Sequence, residues 1–147
     1  MMIGIGSDHT ALELKGIIKE HLEKCGFLVK DYGTHTPERT DYPIYAEKVA
    51  LAVKNGECER GILICGSGVG MGIAANKIRG IRCVICSEAY SARMSRKHND
   101  TNMLALGARV VGPDAAKMIV DEWLGTEYEG GRHQRRVDMI CSLEQEI

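Results

Sequence analysis

Residues 61–72, GILICGSGVGMG, join an apolar run to a glycine-rich loop and decide the fold class of this chain. The bulky aliphatic residues between Gly61 and Cys65 are typical of a short buried strand in a parallel sheet. Glycine then recurs at every second position, and helical character follows Gly72. A strand, a glycine loop and a helix N-terminus in this order predict a nest of backbone N–H groups that binds an anion.

Cys65 ends the predicted strand and stands directly before the glycine loop. Most buried cysteines are structural, and that interpretation is available here. A helix N-terminus, however, favours the thiolate form of a nearby cysteine. We therefore interpret Cys65 as a functional thiolate beside a site for a negatively charged group.

The same loop permits a second interpretation, in which it holds a dinucleotide. Gly70–Ala75 fits the pattern G-x-G-x-x-A, and Glu88 falls near the end of the next predicted strand. The match is weak, because it lies in the third strand–helix unit and the chain leaves little room for a substrate domain. A nucleotide-binding regulatory module remains the alternative from a different functional class.

Length and charge restrict the possible classes of protein. A chain of 147 residues predicts one domain, spanning 1–147, with a sizeable core. With 19 basic and 20 acidic residues, it has no general attraction to nucleic acid or membranes. The N-terminus does not resemble a signal peptide, and the longest uncharged stretch is too short to span a bilayer. Six cysteines without such a signal favour free thiols in a reducing cytoplasm.

Strands and helices alternate five times, which predicts an α/β sandwich with a parallel sheet and right-handed crossovers. The predicted strands are residues 2–7, 27–32, 62–64, 81–86 and 103–106. The predicted helices end near residues 25, 54, 77, 96, 124 and 146, and residues 97–102 form a polar loop. Because ligands bind at the carboxyl ends of such strands, one rim should hold the following side chains: Asp8, His9, Tyr42, Cys65 and Ser67.

Two histidines and two arginines lie outside the glycine loop and are candidates for the site. His9 and His98 are each either an exposed loop residue or a group that transfers protons near neutral pH. Arg132 and Arg136 share one face of the last helix, where cations oppose the helix dipole and a bound phosphate would offset the conflict. A solvated basic patch explains them equally well. The glycines before Arg132 suggest that this helix leaves the domain to meet a neighbouring subunit.

Six motifs occur in order along nearly the whole chain: Ser7-Asp8-His9, Asp41-Tyr42-Pro43, Cys65-Gly66-Ser67-Gly68-Val69-Gly70 with Ala74-Ala75-Asn76-Lys77, Ser95-Arg96-Lys97-His98-Asn99, Leu106-Gly107-Ala108-Arg109 and Gly130-Gly131-Arg132-His133-Gln134-Arg135-Arg136. By this specific set the chain resembles the ribose-5-phosphate isomerase type B family, which also holds the galactose-6-phosphate isomerase subunits. The resemblance implies a three-layer, Rossmann-like α/β/α sandwich with a five-stranded parallel sheet. It also implies a homodimer or tetramer whose active sites are built across two subunits.

The implied reaction interconverts ribose 5-phosphate and ribulose 5-phosphate without a metal or organic cofactor. No H-x-x-x-H motif and no paired cysteine–histidine motif is recognised in the sequence, which agrees with that expectation. A rival activity within the family acts on a 6-phosphohexose such as allose or galactose 6-phosphate. The galactose enzymes pair two related subunits, one of which lacks much of the catalytic set. This chain carries the full set, which favours the pentose enzyme.

The resemblance implies a role for each matching residue. Cys65 takes the C2 proton, because Met71 stands where the other branch of the family has its glutamate. His98 opens the furanose ring, and Ser67, where many relatives have threonine, keeps a hydroxyl that can relay a proton. The sugar oxygens and the developing enediolate contact the following residues: Asp8, His9, Tyr42, Gly66, Ser67, Gly68, Val69, Gly70 and Asn99. The phosphate contacts His9, Arg109, Arg132 and Arg136.

Overall fold

A computed structural model describes residues 1–144 as a five-stranded parallel sheet with six α-helices. The strands β1–β5 are Met2–Ser7, Leu28–Asp31, Arg60–Cys65, Cys83–Ile85 and Met103–Gly107. The helices α1–α6 are Leu12–Lys24, Tyr42–Lys54, Val69–Asn76, Ala89–Asn99, Pro113–Leu124 and Arg132–Leu143. The predicted α/β class and parallel sheet are confirmed.

The strand order β2-β1-β3-β5-β4 creates a topological switch between β1 and β3. From β1 the chain crosses to β2 on one side and then returns to β3 on the other side. The loops that follow β1 and β3 diverge at the carboxyl edge of the sheet and leave a crevice suited to a ligand. The first of these loops begins at Asp8, and the second follows Cys65.

The sheet is buried on both faces, which explains why its central strands are almost entirely apolar. Ile62 and Ile64 pack in one cluster with α1, α4 and α5. Leu63 and Cys65 alternate with them and pack in the opposite cluster against α2 and α3. The result is the expected three-layer arrangement, with the Cys65 side chain on the α2–α3 side.

The predicted polar loop at residues 97–102 is wrong for its first three residues, because α4 continues through Asn99. Asp100 then ends the helix in a left-handed conformation, with φ of 47°. The buried Arg96 guanidinium donates to the Asp100 carboxylate at 2.9 Å and also to the Thr101 carbonyl. These bonds hold the last turn, so His98 lies on a helix and not in a loop.

Other boundaries differ by a few residues. Strand β4 is shorter than predicted, because Ile81 forms a turn by donating its N–H to the Ile78 carbonyl. Strand β2 begins one residue later than predicted, at Leu28. The predicted end of the last helix near Glu146 lies outside the described residues. Within residues 1–144, the helices are too short or too polar to cross a bilayer.

Candidate active site

The Cys65 thiol lies at the carboxyl end of β3 and is 5% exposed. Its Sγ accepts a hydrogen bond from the Gly68 N–H at 3.1 Å. This bond closes the loop back onto the strand that carries the cysteine. An N–H directed at sulfur stabilises negative charge there, as a proton-accepting thiol requires.

The glycine loop is shaped by backbone contact with β5. Gly68 has φ of +82°, and a Cβ at this position would lie 2.9 Å from the Leu106 carbonyl oxygen. A Cβ at Gly107 would lie 2.6 Å from the Ser67 carbonyl oxygen. Each glycine therefore admits the backbone opposite it, and neither position accepts a side chain without moving the loop.

The N-terminus of α3 faces the loop with unused amide donors. The Val69 N–H donates to the Ser67 hydroxyl at 3.2 Å. The Gly70 and Met71 N–H groups, in the first turn, have no acceptor among residues 1–144. Free N–H groups at a helix start carry partial positive charge, so this corner favours an oxyanion. The anion nest predicted from the glycine pattern agrees with this arrangement.

Asp8 and His9 follow β1 and are fixed by two threonines. The buried Asp8 carboxylate accepts from the Thr10 N–H at 2.9 Å and from the Thr10 hydroxyl at 2.6 Å. The Nδ1 of His9 accepts from the Thr40 N–H at 3.2 Å. Since Nδ1 is an acceptor, neutral His9 carries its proton on Nε2. That nitrogen is then available to donate to an anionic or hydroxyl oxygen.

Tyr42 and Arg109 complete the rim of the crevice. A Cβ at Gly70 would overlap the Tyr42 ring, so the ring lies directly on the first turn of α3. The Arg109 side chain lies beside Gly66, and the backbone N–H of Arg109 donates to the Gly66 carbonyl at 3.0 Å. The residues predicted at this edge, from Asp8 to Arg109, therefore surround one crevice.

A second group of predicted site residues lies at the opposite, amino edge of the sheet: His98, Asn99, Arg132 and Arg136. Helix α4 starts after β4 at the carboxyl edge, and its last residues lead through Asn102 into the start of β5. At about 3.3 Å per residue, the five residues of β5 place roughly 13 Å between the two edges. Roughly this length therefore separates a ligand bound beside Cys65 from the His98 of the same chain.

The second group is held together by α4 and α6. His98 stacks on the His133 ring, with 4.2 Å between ring centroids and 19° between planes. The Glu129 carboxylate lies 3.5 Å from Nε2 of the buried His133. Arg132 and Arg136 are exposed on the same helix, and neither forms a salt bridge within the described residues. Two exposed guanidinium groups on the helix whose His133 stacks on His98 suit an anionic ligand.

Three residues with direct contacts to the site were given no individual role from sequence. Thr10 holds Asp8, Thr40 holds His9, and His133 stacks on His98. Thr10 follows the predicted strand by three residues and was detectable as the partner in an Asx turn. The other two contacts depend on tertiary structure and leave no local signal.

Cys83, at the start of β4, and Cys86, directly after that strand, differ from Cys65 in their surroundings. Burial raises the pKa of the Cys83 thiol to about 12. Burial, together with the nearby Glu88 carboxylate, raises the pKa of Cys86 to about 11. Both side chains behave as small apolar groups at neutral pH, as the sequence analysis expected from their place in an apolar run.

The fold and the residues at this edge of the sheet together are typical of an α/β enzyme that acts on a small anionic substrate. The chain matches the family model described as Ribose/Galactose Isomerase over residues 3–140. It belongs to the ribose/galactose isomerase family, as the motif set predicted.

Individual relatives agree with that assignment. The chain is 62% identical to ribose-5-phosphate isomerase B of Escherichia coli K12, over 97% of this chain and 96% of that protein. A Clostridium thermocellum ribose-5-phosphate isomerase B structure matches with a TM-score of 0.98 and 57% identity, covering 99% of each chain. A Mycoplasma genitalium ribose-5-phosphate isomerase B with bound ribulose-5-phosphate matches with a TM-score of 0.94 and 44% identity, covering 99% and 97% of the two chains.

Proposed function

We propose that this chain interconverts D-ribose 5-phosphate and D-ribulose 5-phosphate through ring opening and an enediolate, with Cys65 as the base. The Cys65 thiol is the observation that carries the proposal. It is held in the switch-point crevice by the Gly68 N–H and lies beside the free N–H groups of Gly70 and Met71. Relatives of high identity with the printed activity support the same reaction.

The chemistry requires a proton to move between C2 and C1 of the open-chain sugar. The Cys65 thiolate takes the C2 proton, and the C2 electron pair forms the enediolate double bond as the C1 carbonyl oxygen gains negative charge. The free N–H groups at the start of α3 stabilise that charge, which is typically a large catalytic effect. The Ser67 hydroxyl relays a proton between O2 and O1, and the Cys65 thiol returns its proton to C1. No metal or organic cofactor takes part.

Substrate binding divides between sugar and phosphate. Asp8, Tyr42 and Asn99 bind sugar hydroxyls, and the loop residues Gly66, Gly68, Val69 and Gly70 line the reacting end. The phosphate binds Nε2 of His9 and the guanidinium groups of Arg109, Arg132 and Arg136. Anchoring the far end of the sugar orients C1 and C2 over the thiol.

A second copy of the chain supplies the His98 group, because one chain holds this group at the wrong edge of the sheet. In the proposed homodimer, His98 of the partner opens the furanose ring by moving a proton between the ring oxygen and O1. Asn99, Arg132 and Arg136 of the partner complete the site. The helix predicted to reach a neighbouring subunit is α6.

Exposed apolar surface supports this assembly. Helix α6 exposes Met139 by 58%, Ile140 by 42% and Leu143 by 59%, and α3 exposes Ile73 by 53%. An apolar cavity of about 460 Å³ lies between α6 and β4, with Asn99 on its wall. Surface of this kind on a soluble chain marks an interface, and here it adjoins both halves of the proposed site. Six free thiols agree with a reducing cytoplasm as the setting.

The test is turnover of ribose 5-phosphate by the wild type and by Cys65→Ala. Loss of the base should lower kcat by about 10²–10⁴-fold or more with the circular dichroism spectrum unchanged. Cys86→Ser is the matched control, since it removes a thiol from the same edge of the sheet and should retain activity. Undiminished turnover by Cys65→Ala would refute the proposed base.

Parallel assays with allose 6-phosphate and galactose 6-phosphate test the 6-phosphohexose alternative. A titration with NAD tests the nucleotide-binding alternative.

A further inference from the structure

A second cluster of potential metal ligands lies between α1 and α5, away from the active-site crevice. His21, in the last turn of α1, and Cys25, the residue that caps this helix, are four residues apart, a cysteine–histidine spacing that was not recognised from sequence. Asp121 reaches them from α5, one hundred residues later in the chain. The ligand atoms of all three side chains lie within 4.8 Å of one another. The imidazole Nε2 is the centre of the cluster, 2.7 Å from the Asp121 carboxylate and 4.0 Å from the Cys25 sulfur.

The three atoms are the set that zinc and cobalt bind in proteins: one nitrogen, one sulfur and one carboxylate oxygen. A tetrahedral zinc ion with ordinary bond lengths separates a nitrogen and a sulfur ligand by about 3.6 Å, and a nitrogen and an oxygen by about 3.3 Å. The observed separations are 4.0 and 2.7 Å. Shifts of roughly half an ångström bring these two separations to the tetrahedral values, and the sulfur–oxygen separation, which is within 4.8 Å, must reach about 3.6 Å.

The surroundings allow that adjustment. Cys25 and Asp121 are exposed, and Asp121 is held by its 2.7 Å contact with His21, which is partly covered between the helices. The backbone of Cys25 is fixed, because its N–H donates to the His21 and Leu22 carbonyls at 3.1 Å. The nearest cation on α1, Lys24, is held by Glu20 at 3.0 Å. A water molecule can occupy the fourth, solvent-facing position of an ion at this place.

We propose that His21, Cys25 and Asp121 form a peripheral binding site for a divalent metal ion of the zinc type. The ion binds neutral His21, the Asp121 carboxylate and the Cys25 thiolate, whose proton is released to solvent. It links the C-terminal turns of α1 and α5, so it stabilises the folded chain in proportion to its concentration. The site is separate from Cys65 and the glycine loop, because both helices end at the opposite, amino edge of the sheet.

The test is a Co²⁺ titration of the purified protein, followed by absorbance, beside a thermal melt with and without Zn²⁺. We expect one Co²⁺ per chain with a thiolate-to-cobalt charge-transfer band. The band should disappear in Cys25→Ser, and the affinity should fall at least about tenfold in His21→Asn and Asp121→Asn. At 100-fold excess over its Kd, Zn²⁺ should raise the Tm of the wild type by about 5–10 °C, and that of Cys25→Ser by none. Glu23→Gln, an exposed carboxyl on the same helix, is the matched control and should bind like the wild type.

The cobalt titration also distinguishes the proposed site from two other possible metal-binding positions. A charge-transfer band that survives Cys25→Ser but is lost in Cys65→Ala would place the ion at the catalytic thiol and overturn the proposal. Cobalt bands without charge transfer would place the ion at the cluster of His98, Glu129 and His133, which has no sulfur, and would also overturn it. Absence of any cobalt band would overturn the proposal as well. Melts without metal establish that each variant is folded.

Discussion

Two inactive variants, Cys65→Ala and His98→Ala, should restore activity to each other when they share a dimer. The reason is geometric, since β5 alone separates the two edges of the sheet by roughly 13 Å and each proposed site takes Cys65 from one chain and His98 from the other. In a mixed dimer, one site then contains both wild-type groups, and the other site contains both substitutions.

The size of the recovery follows from that division. If the two variants exchange subunits at random, half of the dimers are mixed, and one of the two sites in each is intact. The mixture should therefore regain about a quarter of wild-type turnover, which is far above the sum of the two variants alone. The measurement is ribose 5-phosphate turnover by an equimolar mixture after joint unfolding and refolding, or after co-expression with two affinity tags.

A control pair makes the result specific. Cys65→Ala mixed with Asp8→Asn should regain nothing, because both substitutions lie in the same half of the site. Lack of recovery by the first pair, in a mixture shown by the tags to contain mixed dimers, would refute the division of the site between chains. Recovery by the control pair would refute it as well.

Two further predictions concern the loop and the thiols. Gly68→Ala should lower the free energy of unfolding by more than about 2 kcal/mol, because Gly68 has a left-handed backbone and an added Cβ would overlap Leu106. Gly16→Ala, at an open helix position, should raise the free energy of unfolding by about 0.5–1 kcal/mol. Urea unfolding measures both variants, and an unchanged stability of Gly68→Ala would contradict the loop geometry. Cys83, with a pKa of about 12, should resist iodoacetamide at pH 7, because only about one in 10⁵ of its thiols is then ionised. It should react only as the pH approaches that pKa. Rapid labelling of Cys83 at pH 7, measured by peptide mass spectrometry, would contradict its burial.

The carboxyl edge of the sheet could be predicted from sequence because parallel topology alone brings its residues together. Short apolar strands followed by Asp8 or Cys65 identify which residues follow a strand, and the glycine pattern identifies the backbone nest. No side-chain packing is needed for that inference, so the fold class was predicted correctly, and the residues expected at this edge lie together there.

The position of His98 could not be predicted in the same way. Lys97, His98 and Asn99 are polar and have the composition of a loop, yet they form the last turn of α4. That turn is stabilised by Arg96, whose acceptors come from the following segment, and by Arg82, whose Nε donates to the Asn99 carbonyl at 2.8 Å. Helix propensity within one window contains no information about such donors.

Arg82 and Arg96, which cap α4, affect one step of the proposed catalytic cycle more than the others. A guanidinium fork fixes direction as well as charge, and lysine at position 82 or 96 would keep the charge without the direction. The His98 ring would then lose its orientation, whereas the distant Cys65 thiol would keep its orientation. Under the proposed mechanism, such a chain would lose more of its turnover on the cyclic sugar than on the open-chain aldehyde, although a displaced Asn99 would also weaken sugar binding. A change far from the thiol would therefore register as an altered preference between the two forms of the substrate.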